Sequence, residues 1–400
     1  MSFRRLTLLL LFLPFAVYAQ TTTITGKVTI AGTQMPLGKV SVFLSNSSFG
    51  TETDENGNFT LVDVKPGQYD LVASSVGYEE YSQSILVGAE PIHLDIPMKQ
   101  SMNQLRGVVI STYANWKRNY EQFKKDFIGA SENAKECEVV NPRTMNFIYH
   151  GKSHELEGWS NDFLVIDNKA LGYRVKFLVD TFSSSGLTGN TEWAGKAVFE
   201  EMPGSATQKR EWKKKREEVY YGSIRNFLRS LYMNTLMQDG FIMYKLTREL
   251  NPNRPSEGLI LQKIKQFREM QPNRDSLNFW IDKDNMSKYY HEHLDKTPLT
   301  AYQVFAKTDK PGLFILSFSD CLYVVYTRRH EETDFKDVYR PLDMENFETS
   351  ILTLPGPYAV FDMNGVIVGG TPLIQGTWSK SRIAELLPFD YSPDDDKDSK

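Results

Sequence analysis

Six histidines and two cysteines have the widest chemical range in this chain, and their spacing limits what they can do. His154 and Glu157 have the His-x-x-Glu spacing that, with a distant ligand such as His291 or His293, holds zinc and leaves one coordination position for water. Six histidines in a chain of this glutamate content produce that spacing by chance in about one protein of every two or three. The pair alone therefore identifies no metal, and both residues are read as polar surface positions near a strand. His291 and His293 share a face on a strand and diverge on a helix, and no third ligand can be named for them. His150 and His154 are spaced to chelate on a helix, but Gly151 and its strand-like neighbours oppose a helix there. Asp54, Asn56 and Asn58 alternate like the opening ligands of an EF-hand loop. Phe59 stands where that loop needs glycine and Lys65 where it needs the bidentate glutamate, so they are assigned to a hairpin turn.

Neither Cys137 nor Cys321 has sequence neighbours that would lower a thiol pKa. An oxidising compartment would permit one bridge if their Cα atoms lay within about 7 Å, and two separately buried thiols are the alternative. No Gly-x-Ser-x-Gly elbow, phosphate-binding glycine loop or dinucleotide fingerprint occurs. The expectation is no catalytic residue, no cofactor and no metal ligand. Aromatic platforms that stack sugars or hold peptides remain as candidates, through Trp159, Trp280, Tyr289 and Tyr290.

These residues must be positioned by what surrounds them. Arg4 and Arg5, the apolar run Leu6 to Val17 and the small Ala19 follow the order of an export signal spanning residues 1–19, too short for a stable membrane span. Beyond it the longest apolar stretches resemble Cys321 to Tyr326, so no transmembrane segment is expected in the mature chain, which is placed in the periplasm or at the cell surface. Removing residues 1–19 takes two arginines, and 46 − 2 = 44 basic against 50 acidic residues leaves −6. That balance offers nothing to attract nucleic acid or anionic lipid. The remaining length is enough for two or three domains with adequate cores.

Strand-like alternation runs through Thr23 to Ile30, Val40 to Leu44, Phe59 to Val62, Tyr69 to Ala73, Tyr81 to Val87 and Ile92 to Ile96. Asp54-Glu55-Asn56-Gly57 offers positive-φ positions for a hairpin, and Pro66-Gly67 presets a tight reversal. Short strands and frequent turns predict a small antiparallel sandwich. Gly26-Lys27-Val28, Pro36-Leu37, Val40-Ser41-Val42, Gly50-Thr51, Thr53-Asp54, Gly57-Asn58-Phe59, Pro66-Gly67-Gln68-Tyr69 and Gly77-Tyr78 follow in order along this stretch. In that order and spacing, residues 22–110 resemble a carboxypeptidase regulatory-like domain, which implies a transthyretin-like or Ig-like sandwich of about seven strands. In peptidases with such a domain it follows the catalytic domain, whereas here it leads.

Leu105 to Ile110 reads as one more strand. Trp116, Tyr120, Phe123 and Phe127 recur at helical spacing and predict one buried helix face. Strands are expected at Phe163 to Ile166, Tyr173 to Val179, Trp193 to Phe199, Phe241 to Leu246, Leu313 to Ser317, Leu322 to Thr327 and Tyr358 to Asp362. Lys209 to Glu218 predicts a solvated helix with Trp212 and Val219 on one side, and Ile224 to Leu236 a buried helix ended by Gly240. Asn364-Gly365 predicts a hairpin, Ser379 caps a last helix to Leu387, and residues 393–400 form an acidic disordered tail. Residues 112–392 are thus an α+β domain with mostly antiparallel strands. Phe127-Ile128-Gly129, Ser131, Cys137, Asn141-Pro142, Asn168, Leu171-Gly172-Tyr173, Arg216, Tyr221-Gly222-Ser223 and Phe227-Leu228 form a pattern with Gly240-Phe241, Gly376, Trp378, Arg382-Ile383-Ala384, Leu386-Leu387-Pro388 and Asp390-Tyr391. That pattern is similar to the C-terminal part of uncharacterised exported Bacteroidetes proteins, a resemblance that imports no established activity.

The chain is therefore expected to be a cell-envelope protein with a binding or assembly role, its partners envelope proteins, peptides or glycans. The rival readings are a zinc-dependent peptidase-type hydrolase and a soluble accessory to an outer-membrane receptor. Interrupting helices and an acidic C-terminus exclude a barrel.

Overall fold

Seven strands form where the first hundred residues alternate: β1 (Thr22–Ile30), β2 (Ser41–Leu44), β3 (Gly50–Glu52), β4 (Asn58–Val64), β5 (Gly67–Ser74), β6 (Tyr81–Val87) and β7 (Ile92–Met98). They make two sheets, ordered β4-β1-β7 and β3-β2-β5-β6, with β1 antiparallel to β4 and parallel to β7. Ile24, Val28, Val42, Leu61, Leu71 and Ile96 are buried, as the alternation requires. The computed structural model describes residues 21–101, 112–151, 153–186, 189–269, 274–332 and 337–393. These divide into two units, residues 1–43 with 51–100 and residues 44–50 with 101–400. The export signal, the strand expected at Leu105 to Ile110 and the tail from 394 lie outside the described residues.

The hairpin expected at Asp54 to Gly57 is not one, while Pro66-Gly67 reverses the chain as expected. Asp54 to Gly57 joins β3 to β4, and Pro66-Gly67 joins β4 to β5, so each carries the chain from one sheet to the other and neither closes a hairpin. Asp54 Oδ1 accepts from the Asn56 and Asn58 N–H groups at 2.9 and 2.7 Å, so its carboxylate is taken up by its own turn, in keeping with the turn role read from the sequence. Gly57 sits at φ +77°, and a Cβ there would lie 2.3 Å from the Val28 carbonyl.

In the second unit, α1 (Tyr113–Ile128) buries Phe123 and Phe127 against Phe147, Phe177 and Phe182, with Trp116 and Tyr120 packed on the same core, as the helical spacing predicts. A four-residue helix, α2 (Glu132–Lys135), follows, capped by Ser131. The sheet beneath contains β8 (Cys137–Val139), β9 (Met145–His150), β10 (Glu155–Ser160), β11 (Leu164–Asn168), β12 (Tyr173–Ser185) and β13 (Thr191–Glu201). Long β12 serves β11 with one half and β10 with the other, while β13 pairs along its whole length.

The charge run forms α3 (Ala206–Tyr220), opened by a Ser205/Gln208 capping box. It is not wholly solvated, because Arg216 is buried with Trp212. The next helix, α4 (Ile224–Met233), stops at Asn234 (φ +59°). A short α5 (Leu236–Asp239) then runs to Gly240, so the expected single helix breaks where asparagine adopts the left-handed conformation.

Beyond it lie β14 (Phe241–Leu250), the helical hairpin α6 (Glu257–Glu269) and α7 (Arg274–Asn285), then β15 (Tyr289–Leu294), β16 (Phe305–Lys307), β17 (Leu313–Leu316) and β18 (Cys321–His330). The last strands are β19 (Phe347–Thr353), β20 (Ala359–Asp362), β21 (Ile367–Gly369) and β22 (Leu373–Gly376). They form a five-stranded sheet, β15-β14-β18-β19-β22, and a four-stranded one, β16-β17-β20-β21. Phe227, Leu228 and Leu231 of α4 fill the core with Phe241, Leu322 and Phe361. The Asn364-Gly365 turn closes the β20–β21 hairpin as expected, with Gly365 at φ +74°.

The last helix does not form. Thr377–Lys380 and Ile383–Glu385 are separate 3-10 turns, and Ser379 Oγ donates to Gly376 O. Pro388 disfavours helical geometry at Leu387 before it. Among the described residues no helix is long and apolar enough to cross a membrane.

Candidate functional site

The histidines are distributed over hairpins and strands. β9 and β10 form a hairpin whose turn places His154 at φ +51°, exposed, with Nδ1 3.3 Å from the Tyr149 hydroxyl. Glu157 is engaged by His150, Nε2 to Oε1 at 3.2 Å. The two members of the His-x-x-Glu spacing thus have separate partners. His150 and His154 stand on no helix, and His291 and His293 lie on one face of β15, opposite Glu249 and Thr247. Among the described residues no three His, Cys, Asp or Glu side chains are grouped to hold a metal.

Cys137 in β8 and Cys321 in β18 are both free and buried, in different sheets, so no bridge joins them. Burial pushes the Cys137 thiol up to about 12. The four aromatics singled out form no common platform. Trp159 is half-buried on β10, Trp280 is half-buried on α7, Tyr289 lies under the Arg248 guanidinium at 4.9 Å, and Tyr290 is exposed.

The second unit holds a cleft of about 780 Å³, walled by the end of α1, α2, the C-terminal half of α3, the start of α4, β18, β19 and the 377–389 segment. Its lining includes six cations, Lys125, Lys215, Arg225, Arg329, Lys380 and Arg382, and six carboxylates, Asp126, Glu132, Glu218, Glu332, Glu348 and Glu385. Trp378, Ile224, Val219 and Leu386 supply apolar surface between them.

Arginines hold the walls. Arg329 pairs with Glu348 at 3.2 Å and donates to the carbonyls of Glu218, at 3.1 Å, and Tyr221. Arg382 Nε donates to Asp126 O at 3.1 Å and its Nη1 to Ser379 O and Ser381 O. Arg225 donates to Pro388, Phe389 and Tyr391 carbonyls at 2.8–3.0 Å, and desolvation lowers its pKa. Trp378 Nε1 reaches Gly222 O at 2.6 Å. Burial raises the pKa of Glu348 and of Glu385, against the lowering effects of Arg329 on the first and of the Ser131 hydroxyl on the second.

Val219 and Ile224 were read from the sequence as helix-face positions, but no cleft residue was singled out as a site residue. Gly129, Ser131, Gly222, Ser223, Trp378, Arg382, Leu386 and Leu387 are far apart in sequence and all line the cleft, whereas Lys215, Arg225, Arg329, Glu348 and Lys380 belong to no family pattern read from the sequence.

Residues 24–110 match the model of the CarboxypepD_reg-like domain. The CarboxypepD_reg-like domain therefore occupies the N-terminal sandwich, and the match ends where the second unit's helices begin. No curated protein matches the chain. Among solved structures, a putative membrane-associated protein of unknown function from Bacteroides fragilis is similar over 89% of this chain and 98% of its own, at 10% identity and a TM-score of 0.17. A putative carbohydrate binding protein from Bacteroides uniformis is similar over 46% of this chain and 99% of its own, at 7% identity and a TM-score of 0.18. A cohesin–X-dockerin complex from Acetivibrio cellulolyticus is similar over 22% of this chain, which spans 62% of the matched partner, at 22% identity and a TM-score of 0.19.

Proposed function

We propose that this is an exported cell-envelope protein with a binding or assembly role, in which the CarboxypepD_reg-like domain precedes an α+β domain whose cleft receives the partner. The observation that carries the reading is the balance of the cleft lining, which among the described residues holds six charges of each sign together with apolar side chains. Such a surface fits a zwitterionic or neutral polar chain, peptide or glycan, and gives a polyanion no net attraction. The opening residues Arg4 to Ala19 support export, and the first domain supports an accessory role beside envelope receptors.

Binding of the purified chain to arrayed envelope glycans and peptides tests the reading, with Lys215→Glu/Lys380→Glu as the cleft variant. Ligands retained by wild type and lost by the variant support it, and equal retention by both removes the cleft from the function. The peptidase alternative is addressed by metal analysis: stoichiometric zinc that disappears in His154→Ala would replace the binding reading with a hydrolytic one.

A further inference from the structure

A second cavity, of about 550 Å³, lies beside β15 and shares no residue with the cleft. Its lining includes Glu292, His293 and Leu294, three consecutive strand residues. Successive side chains of a strand point to opposite faces, so a cavity touching all three must run along the strand's edge. Among the described residues β15 has one ladder partner, β14, which leaves its other edge open. The ladder also fixes which backbone groups face outward. Asp295 N–H donates to Lys245 O at 2.9 Å, and alternate residues of an antiparallel strand turn to the same partner. His293 therefore bonds inward, while the N–H and C=O of Glu292 and Leu294 point away from the sheet.

Beside this edge Val338 is 76% exposed and Leu342 fully exposed, both lining the cavity. Glu292 is already engaged by Arg248 at 3.2 Å and the Tyr339 hydroxyl at 2.5 Å, which fixes that face of β15 in place. We propose that β15 captures an extended peptide segment of a partner protein, which adds a strand to the five-stranded sheet and seats an apolar side chain against Val338 and Leu342. Outward backbone groups would supply affinity and the cavity side-chain selection. A second copy is a poor occupant, because its own β15 would bring the polar run His291-Glu292-His293 to an apolar rim. This inference deepens the binding reading but uses a different surface, so failure here leaves the cleft's role standing.

Two measurements on the full chain test it. Hydrogen exchange of the free protein should show the Glu292 and Leu294 amides exchanging quickly while His293 and Asp295 are protected. Slow exchange at Glu292 and Leu294 overturns the proposal, and protection that grows with protein concentration overturns it in favour of a second copy. Panning of displayed random peptides should enrich sequences with apolar residues at alternate positions. Their synthetic versions should bind Val338→Asp/Leu342→Asp about tenfold more weakly than wild type. N-methylation of alternate peptide amides should abolish binding in one of its two registers. Failure to enrich any peptide, or equal binding to the double variant, overturns the proposal; the two substituted residues are exposed, so the variant keeps the fold.

Discussion

In the first unit Asp54 fixes its turn through bonds to Asn56 and Asn58, two and four residues away, whereas in the second Arg225 holds the carbonyls of Pro388, Phe389 and Tyr391, 163 to 166 residues away. The same contrast recurs throughout. β-turn chemistry and alternation shape the sandwich, while Arg216, Arg329, Arg382 and the indoles of Trp212 and Trp378 tie distant backbone together in the α+β unit. A unit built on local turns tolerates change at many positions and fails at a few glycines. One built on long-range anchors fails wherever a donor is withdrawn from a buried carbonyl.

The largest expected effect tests the anchors. Arg225→Met removes the donors of three carbonyls and should cost about 3–5 kcal/mol in urea denaturation. Hydrogen exchange at Leu71 in the first unit should stay unchanged; a loss below about 1 kcal/mol would make the arginine dispensable and dissolve the contrast. Gly57→Ala tests the other side. Its positive φ and the contact with Val28 O should cost the sandwich about 2–3 kcal/mol, while Gly32→Ala, which meets no atom within 4 Å, should pay only the backbone strain, about 1 kcal/mol. Equal losses at the two sites would show that backbone approach does not matter at Gly57.

A smaller effect concerns pH. Burial raises Glu385 above its ordinary 4.5, so the fold favours its protonated form. Its contribution to stability is fully present below pH 4.5 and is lost as pH rises through the higher folded value. Asp167, lowered by Arg174, acts in the opposite sense, and its contribution is lost on acidification. Glu385→Gln should therefore be at least as stable as wild type at neutral pH and should lose the wild-type gain on mild acidification. Thermal melts across that range read the difference, and parallel curves would mean that Glu385 does not titrate with folding. Smallest of all, His154→Ala should leave the melting temperature and the secondary structure unchanged, since His154 is exposed and its ring hydrogen-bonds Tyr149, itself exposed.

How much was legible follows the same division. Tyr81 to Val87 was placed residue for residue, and Trp116 to Phe127 gave a correct helix face, because pleat and helix periods are written directly in apolar spacing. The sheet partners of β3 and β4 were not legible: Asp54 to Gly57 has hairpin chemistry, yet pairing of β4 with β1 places its two flanking strands in different sheets. Arg216 looked like one more charge in a solvated run. Its burial depends on Leu171 and Gly172 presenting carbonyls to it, with Tyr173 under its guanidinium at 3.8 Å. Ser379 had a cap's identity, but Ser381 and Arg382 adopt extended backbone, so the helix it would have capped does not start.

The residues alone determined which segments of the first unit are strands and where it turns, and which helix faces are apolar, because each of these rests on groups within a few positions of one another. Tertiary structure decided the rest. Gly129, Ser131, Gly222, Trp378 and Arg382 meet at one cleft, and β15 keeps an open edge among the described residues, only because strands and carbonyls from remote parts of the chain are brought together by burial and hydrogen bonding. No spacing along the sequence encodes which remote donor will find which carbonyl.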